Sequence, residues 1–494
     1  MNNALVLAPV FIPLGSAALN ILVGQNRTLQ HIIAVFAGFI AWVSSIVLLI
    51  MNWQSGPQLY RLGGWPTPYG IVLAVDLLSG LFGVMATTVV FGGIVYAVGC
   101  KDKCVKYPAF MPLFLCMGAG LNGALYTGDI FTLFVFVELM VMSSVALVAI
   151  SDNNLGVEAA IKYLLISAMG SLFLLLGIAA VYATFGTLTI ADVARQLQTG
   201  ERPLLAQAAA VFLMCAFLLK SAVFPFHFWQ PDFHTTAPTP VHAVLSSVVV
   251  KVGVYGLIRL TMLMFTVEAP LIRTLLLVLG IIGIFFGSLG ALRTYDAKRM
   301  LAYSTFGQIG FILLGIGWGT PLALVGALVY AVNHALIKSS LLMITGAMSS
   351  RMPNKSARLT QIGGAGKGLA LMSILYLLGG LALAGVPPLN GFISKVALVR
   401  GGVEAHNWIT LLPAVFAGLI TLLYMMRTWQ LIFQQQPEKT LKLKPYGDSL
   451  LAPAALIGLC VLLGLYAGPL VDVATAAVNQ LGDPSIYIKA ILGG

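Results

Sequence analysis

Six ionisable side chains lie inside long apolar runs of this chain, away from its polar stretches. They comprise one carboxylate, four amines and one imidazole: Glu138, Lys220, Lys251, His334, Lys338 and Lys395. Each of these groups can bind and release a proton, so a series of them buried in an apolar medium could carry protons through it. The five cysteines lack the spacing of a disulfide framework or a metal site, and no cofactor is expected.

The carboxylate and the first lysine are expected to form a pair. Glu138 has about nine residues of apolar sequence on its amino side, and burying its charge there costs several kcal/mol unless it is paired, hydrated or protonated. Lys220 stands just before Pro225, where carbonyl groups freed by the proline could help to hydrate an ammonium. Two interpretations remain open: a static ion pair, or a pair whose making and breaking switches Lys220 between holding and donating a proton.

The other four groups extend this pair into a predicted relay. Lys251 lies too deep in its run for the amine to reach a polar interface easily, although snorkelling is the alternative. His334 and Lys338 are four residues apart, which places both on one face of a helix. Lys395 follows a second proline interruption. The predicted path therefore runs from Lys220 to Lys395.

Composition places these groups in a membrane protein. Of 494 residues, 59% are hydrophobic and 9% are charged, against roughly a quarter charged in soluble domains. The net charge of +11 resides mostly in short connections and forms no basic stripe, so nucleic acid is not an expected partner. Residues 1–23 lack the basic start of a signal peptide and are expected to remain as a span in the lipid bilayer.

Apolar runs long enough to cross the ~30 Å hydrocarbon layer recur along the whole chain. They predict about fourteen transmembrane helices: 3–23, 31–52, 77–98, 109–127, 130–150, 159–185, 204–224, 240–264, 270–290, 299–318, 321–349, 368–386, 408–433 and 449–470. Basic residues concentrate in the loops that follow odd-numbered spans. This distribution predicts that both termini face outside.

Two spans are interrupted, the seventh at Pro225 and the twelfth at Pro387 and Pro388. Backbone groups freed by proline are tolerated at membrane depth only where protein or water surrounds them. Interruptions five spans apart favour two inverted five-helix repeats, with one kinked bundle as the alternative. The chain is treated as one membrane domain with four parts: amino-terminal helices 1–107, a first repeat 108–264, a second repeat 265–434, and helix 14 with the tail 435–494.

Other polar residues near these spans carry open or structural interpretations. Four of them surround the first interruption and either line a water entrance or cap a broken helix: His227, Asp232, His234 and His242. Lys298, at a helix start, is interpreted as a determinant of topology. Glu158 and Lys162 have the spacing of a surface ion pair.

Six motifs give the sequence a family resemblance: Lys220–Asp232, Ala237–Val241, Lys251–Arg259, Asp296–Ser304, Asn333–Lys338 and Gly385–Phe392. With them the chain resembles, over nearly its whole length, the antiporter-like membrane subunits shared by respiratory complex I and the Mrp-type multisubunit cation/proton antiporters. The segments Gly63–Leu73 and Asp483–Ile488 resemble the D-type subunits of the Mrp antiporters. D-type subunits of membrane-bound hydrogenases look much the same.

The resemblance implies an all-α fold of fourteen helices with two inverted five-helix repeats, each containing a broken helix. It also implies that Glu138 pairs with Lys220 and that protons follow a hydrated axis through these positions: Lys251, His334 or Lys338, and Lys395. Gln308 departs from the pattern, since relatives often carry histidine there.

Two functions compete at this point. The leading hypothesis is the proton-translocating subunit of a multisubunit Na+/H+ antiporter in a prokaryotic plasma (inner) membrane, and the alternative is a proton-pumping subunit of a hydrogenase or NADH dehydrogenase-like complex. In either case the chain is a transporter subunit with membrane-subunit partners and performs no redox chemistry itself; an inert scaffold is the third hypothesis. Sodium would need several oxygen ligands, and the candidates are dispersed: Asp76, Asn122, Asp129 and Asn390.

Overall fold

The computed structural model describes residues 3–151, 153–199, 203–353, 355–435 and 443–493. The amino-terminal part contains helices α1 (Ala8–Val23), α2 (Arg27–Ser55) and α3 (Leu77–Val98). A small antiparallel hairpin, β1 (Gln58–Arg61) and β2 (Val72–Val75), connects α2 to α3, with Gln58 opposite Val75. The spans of this part were predicted from hydropathy, whereas the hairpin was not.

The next part contains eight helices: α4 (Phe110–Tyr126), α5 (Ile130–Ala149), α6 (Asn154–Phe185), α7 (Ile190–Thr199), α8 (Leu204–Lys220), α9 (Trp229–Thr236), α10 (Thr239–Val244) and α11 (Val250–Arg259). A π turn at Leu245–Val249 joins α10 to α11, and a second π turn at Leu260–Met264 follows α11. The four segments together form one continuous span.

The remaining helices are α12 (Ala269–Arg293), α13 (Ala297–Trp318), α14 (Pro321–Arg351), α15 (Leu359–Ile362), α16 (Ala370–Ala384), α17 (Asn390–Glu404), α18 (Trp408–Trp429), α19 (Leu451–Leu465), α20 (Gly468–Gly482) and α21 (Pro484–Leu492). Short 3₁₀ turns cover Ala4–Leu7, Leu62–Gly64, Cys104–Lys106 and Ala365–Gly368, and a π turn covers Gln430–Gln434. Helices α20 and α21 lie where the sequence predicted only a tail.

Among the described residues, ten helices are long and apolar enough to cross a membrane. Three shorter apolar helices, α4, α8 and α16, and the pair α19–α20, bent by 78°, account for the other predicted runs. The prediction of a multi-pass helical membrane protein is confirmed. The grouping of these helices into inverted repeats stays a prediction, as do the four parts assigned to the chain.

Both predicted interruptions are present as breaks between helices. Helix α8 ends at Lys220, and a bend through Ala222 (φ 52°) leads to α9. Helix α16 ends at Ala384, Gly385 adopts φ 83°, and α17 begins at Asn390. Each break therefore leaves a helix end inside the bundle, with a lysine nearby.

The helices that carry most of the predicted relay are the most enclosed ones. In the most apolar 18-residue stretch of each span, 100% of the residues are buried for Thr239–Met264 and 94% for α13 and α14. The share is 33% for the spans Ala4–Val23 and Trp408–Gln434. The outer helices present apolar side chains outwards, as lipid contact requires. Charges on the enclosed helices are thus shielded from lipid by the surrounding helices.

Candidate functional site

Helices α5, α6 and α8 bring Glu138 and Lys220 together. The Lys220 Nζ lies 3.6 Å from the Glu138 Oε1, and the exposed fractions of the two side chains are 7% and 23%. Ser171 of α6 bridges them: its hydroxyl donates to the Glu138 carboxylate and accepts from Lys220 at 3.0 Å. The ammonium also donates to the hydroxyl and carbonyl oxygens of Ser167 at 2.9 and 3.1 Å. The pair is therefore loose and mediated by serine oxygens.

The end of α8 also lies against the helix that carries Lys251. A Cβ atom on Gly253 would collide with the Ser221 Oγ, so only glycine allows this approach. The Ser221 hydroxyl is buried and has no hydrogen-bonding partner in the described part of the protein. This hydroxyl adjoins Lys220 in sequence and lies against Gly253, two residues after Lys251.

Lys251 pairs with His334 across α11 and α14. The Lys251 Nζ and the His334 Nδ1 are 2.7 Å apart, and both residues are buried. A hydrogen bond at this distance needs one donor and one acceptor, and two positive charges so close would repel strongly. The pair therefore holds at most one excess proton, which amine and imidazole share. Lys338, one turn further on α14, instead donates to the carbonyl of Leu301 at 2.8 Å.

A polar network continues from His334 toward the second break. The His334 Nε2 has no partner in the described structure, and His334 lines a cavity of about 10 Å³ together with Gln308, Tyr330, Asn333 and Ser394. The Tyr330 hydroxyl donates to Gln308, and the Asn333 amide donates to the Ser394 hydroxyl at 2.7 Å. Such a volume holds roughly one water molecule. The amide of Gln308 thus occupies the place where the resemblance led us to expect an imidazole.

Lys395 lies at the far end of this network without a carboxylate partner among the described residues. Its Nζ donates to the carbonyl of Ala384 at 2.7 Å and lies 5.5 Å from the centre of the Phe311 ring. The side chain lines a mostly apolar pocket of about 260 Å³ at the second break. The helix end that the break exposes therefore supplies the main polar contact of this lysine.

The residues around the first break have different surroundings. Asp232 takes part in an exposed network with Lys162 at 3.0 Å and Arg299 at 3.6 Å, and Lys162 also pairs with Glu158 at 2.6 Å, as its spacing suggested. The ring of His227 packs between aromatic rings of neighbouring helices. His234 and His242 are fully buried.

One buried ion pair was missed from the sequence. Arg259 of α11 donates two hydrogen bonds of 2.6 Å to Asp76, the residue that caps α3. The centre of the guanidinium lies 5.1 Å from the ring centre of Tyr255 and 4.9 Å from that of Tyr487. Arg259, like Lys251, is a charged residue within an apolar run, and this pattern alone predicts a buried partner. The carboxylate that pairs with it is 183 residues away in sequence, so the partner could not be identified from the run itself.

The four dispersed oxygen ligands considered for sodium do not converge in the structure. Asp76 is engaged by Arg259, and Asp129 caps α5 by accepting from the Thr132 amide. Asn122 donates to a carbonyl of α1, whereas Asn390 bonds to Asn333 between α17 and α14. Each residue thus has a local structural contact of its own.

Comparison with known proteins places this arrangement in a family. Residues 127–421 match the family described as NADH:quinone oxidoreductase/Mrp antiporter, transmembrane. The chain is 32% identical over 495 residues to the D-type subunit of the Na+/H+ antiporter of Alkalihalophilus pseudofirmus, covering 100% of both proteins. It is 34% identical over 435 residues to the N-type subunit of the NADH-quinone oxidoreductase of Desulforudis audaxviator, covering 86% of this chain and 84% of that protein.

Comparison with solved structures agrees with the comparison of sequences. A chain in the structure of the Mrp complex from Dietzia sp. DQ12-45-1b superposes with a TM-score of 0.90 at 26% identity, covering 99% of this chain and 100% of that one. The resemblance found in the motifs is thereby confirmed, and the chain belongs to the NADH:quinone oxidoreductase/Mrp antiporter transmembrane family.

Proposed function

We propose that this chain is the proton-translocating subunit of a multisubunit monovalent cation/proton antiporter, with Na+ as the exchanged cation. The observation that carries the proposal is the loose Glu138–Lys220 pair at a broken helix, beside the Lys251–His334 pair in the most enclosed helices. The full-length similarity to the D-type subunit of a Na+/H+ antiporter supports the choice of cation. The chain is a transporter subunit and needs no cofactor for this task.

The first step is a switch at Glu138. With the ionised carboxylate nearby, the Lys220 ammonium is stabilised despite its burial. When Glu138 is protonated or turns away, the desolvated ammonium becomes a better proton donor, and the Ser221 hydroxyl leads toward Lys251. Because the Lys251–His334 pair holds at most one excess proton, arrival of a proton there requires an earlier one to leave.

The second step carries the proton from His334 to Lys395. The small cavity lined by His334, Gln308 and Asn333 offers room for roughly one water beside the unpartnered ring nitrogen. Asn333 and Ser394 continue the polar path to the residue before Lys395. Lys395 then releases the proton at its pocket, where a backbone carbonyl and an aromatic ring stabilise the ammonium only moderately.

The sodium ligands are assigned to the assembled complex, because the oxygen candidates of this chain are engaged separately. We place the complex in a prokaryotic plasma membrane, with other membrane subunits as partners, lipid around the apolar outer helices and both termini outside. An alkaline phosphatase fused after Gly494 tests the orientation, since its disulfides form only outside the cytoplasm. An inactive fusion protein that is fully expressed would contradict this topology.

The transport proposal is tested in proteoliposomes that contain the complete complex. A pH gradient is imposed, and its Na+-dependent dissipation is compared for the native complex, Glu138→Gln and Lys220→Ala. In both variants the rate of Na+-dependent dissipation is expected to fall at least ~10-fold, because each substitution removes a group that carries a proton. Asp483→Asn and Lys489→Ala are the controls, because both residues are exposed near the carboxyl end of the chain and line no part of the proposed path. Equal activity in all five preparations contradicts the proposed mechanism.

A second candidate function is a proton-pumping subunit of a hydrogenase or NADH dehydrogenase-like complex, favoured by the 34% identity to the N-type subunit of an NADH-quinone oxidoreductase. The same proton path serves both functions, so substitutions in this chain do not separate them. Purification of the native complex does. Iron–sulfur absorption and nickel- or flavin-binding subunits favour the redox complex, whereas small membrane proteins alone favour the antiporter.

A further inference from the structure

Two buried histidines beside the first break have no place in the path described above. His234 of α9 and His242 of α10 are both 0% exposed, with ring centres 5.9 Å apart and planes at 84°. None of their four ring nitrogens has a hydrogen-bonding partner in the described structure, and neither does the side-chain oxygen or nitrogen of Gln230, also 0% exposed. Buried polar atoms are almost always bonded to protein or ordered water, so this cluster calls for an explanation.

Helix capping, one of the two interpretations open from the sequence, does not account for the histidines. A cap would place a ring nitrogen in a hydrogen bond with a free backbone group at a helix end. Neither ring makes such a bond, and the residues that precede α9 and α10, Phe228 and Pro238, provide no side-chain cap. The other interpretation, a water entrance, fits the unpartnered nitrogens.

The charges of two lysines act on the cluster, one of them buried and the other partly exposed. The charges of Lys338 and Lys298 both act on His234, and that of Lys298 also acts on His242. Lys338 is fully buried and donates to the carbonyl of Leu301, which follows Lys298 by about one turn of α13. Helix α9 packs against α13, and α10 packs against α14. The histidines thus lie within electrostatic reach of both a buried and a partly exposed lysine.

Lys298 connects the cluster with an open charged pocket. This pocket has a volume of about 460 Å³ and is also lined by Asp232, Asp296, Lys355 and Arg358. Asp232 of α9 lines the pocket, whereas Gln230 and His234 of the same helix are buried. Helix α9 therefore has polar groups facing the pocket and polar groups facing the interior.

The charges around the cluster select its ligand. The Lys298 ammonium, and the Lys338 amine whenever it holds a proton, disfavour a bound metal cation, and the described residues of the cluster offer two imidazoles and one amide as ligands. Water is neutral, can donate and accept, and can bridge two rings whose centres are about 6 Å apart. Imidazole adds a further capacity, because it can take a proton on one nitrogen and release one from the other.

We propose that His234, His242 and Gln230 form a hydrated entry site that delivers protons from the Lys298 pocket to Lys338. A hydronium ion in the pocket gives one proton to a ring nitrogen of His242, and the other nitrogen releases its proton through water to His234. His234 passes one proton to the neutral amine of Lys338 in the same way, and rotation of each ring restores its first tautomer. The proposal rests on the proton-translocating function proposed above, which it supplies with an entrance.

The test uses the complete complex in proteoliposomes, with the double variant His234→Gln/His242→Gln, both single variants and Glu138→Gln. His406→Gln is the control, because His406 is exposed at the end of α17. The double variant is expected to lose at least ~10-fold in Na+-dependent proton flux, in the range that general acid–base groups contribute, with the amount of assembled complex unchanged. A smaller loss overturns the entry site.

Two further outcomes separate this inference from the function on which it rests. Loss of flux in Glu138→Gln but not in the double variant leaves the transport proposal standing and moves the entrance elsewhere. Unchanged flux in all variants overturns both. If the double variant fails to assemble, the single variants and His242→Ser test the entry site instead. Each is expected to lose at least ~10-fold in Na+-dependent proton flux, and a smaller loss overturns the entry site. A serine hydroxyl still binds water but cannot take up the proton.

Discussion

Among the described residues, two carboxylate–cation pairs within the helix bundle differ in construction. Asp76 and Arg259 share two hydrogen bonds of 2.6 Å, and their side chains are 2% and 4% exposed. Glu138 and Lys220 are 3.6 Å apart, and the carboxylate is 23% exposed. Arginine keeps its proton under physiological conditions, whereas a buried lysine can lose it. Both pairs neutralise charge within the membrane, and we propose that the first holds the fold whereas the second changes its protonation.

The tight pair also positions α11, the helix that carries Lys251. Arg259 lies two turns after Lys251 on α11, and Tyr487 of α21 lies against its guanidinium. The backbone amide of Leu77, next to Asp76, donates to Gln480 of α20 at 3.0 Å. The carboxyl-terminal helices, α3 and α11 are thus held together at one point.

The largest expected effect breaks the tight pair. Arg259→Ala leaves Asp76 as an unpaired buried charge, which costs ~3–5 kcal/mol. We expect little assembled complex in the membrane, whereas Lys220→Ala should assemble in normal amount and lose transport. Immunoblots of purified complex and thermal unfolding in detergent measure the difference. Equal destabilisation by the two substitutions would mean that both pairs serve the fold.

Reciprocal exchange of the two cations sharpens the comparison. Lys220→Arg keeps a charge beside Glu138 but cannot release its proton, so Na+-dependent flux should fall at least ~10-fold, while the larger side chain in this buried position should cost about 1–3 kcal/mol of stability. Arg259→Lys loses one of the two hydrogen bonds to Asp76 and should cost ~1–3 kcal/mol, with normal flux per assembled complex. Normal flux in Lys220→Arg would rule out proton release from this position.

The second break extends the comparison to a lysine without a carboxylate. Gly385 has φ 83°, and a Cβ there would meet the Cδ of Lys395 at 2.6 Å. Gly385→Ala should therefore cost ~1–2 kcal/mol, displace the lysine from the Ala384 carbonyl and lower flux roughly three- to tenfold. Ala222→Gly is the control at the first break, where alanine already has φ 52°; stability should rise by up to ~1 kcal/mol. Unchanged flux in Gly385→Ala would contradict the role of the Lys395–carbonyl contact.

The sequence was informative where a charge interrupts an apolar run. Hydropathy alone located the spans, and the cost of burying Glu138 and Lys220 pointed to their pairing, which the fold provides. The partner of Arg259 could not be inferred, because helical periodicity indicates a face of one helix but not the distant residue that packs against it. The hairpin β1–β2 and the helices α20 and α21 were missed for a related reason, since tertiary contacts stabilise these short segments.

The smallest expected effect concerns the serine between Glu138 and Lys220. Ser171→Ala removes a hydroxyl that donates to the carboxylate and accepts from the ammonium at 3.0 Å. Loss of one such hydrogen bond is worth about 1 kcal/mol, so flux should fall roughly fivefold with assembly unchanged. Thr184→Ala is the matched control on α6, because its hydroxyl bonds only to a carbonyl of its own helix, that of Ala180. An unchanged flux in Ser171→Ala would show that the carboxylate acts on Lys220 directly, at 3.6 Å, without the serine hydroxyl. The pair would then act as a direct ion pair, as Asp76 and Arg259 do.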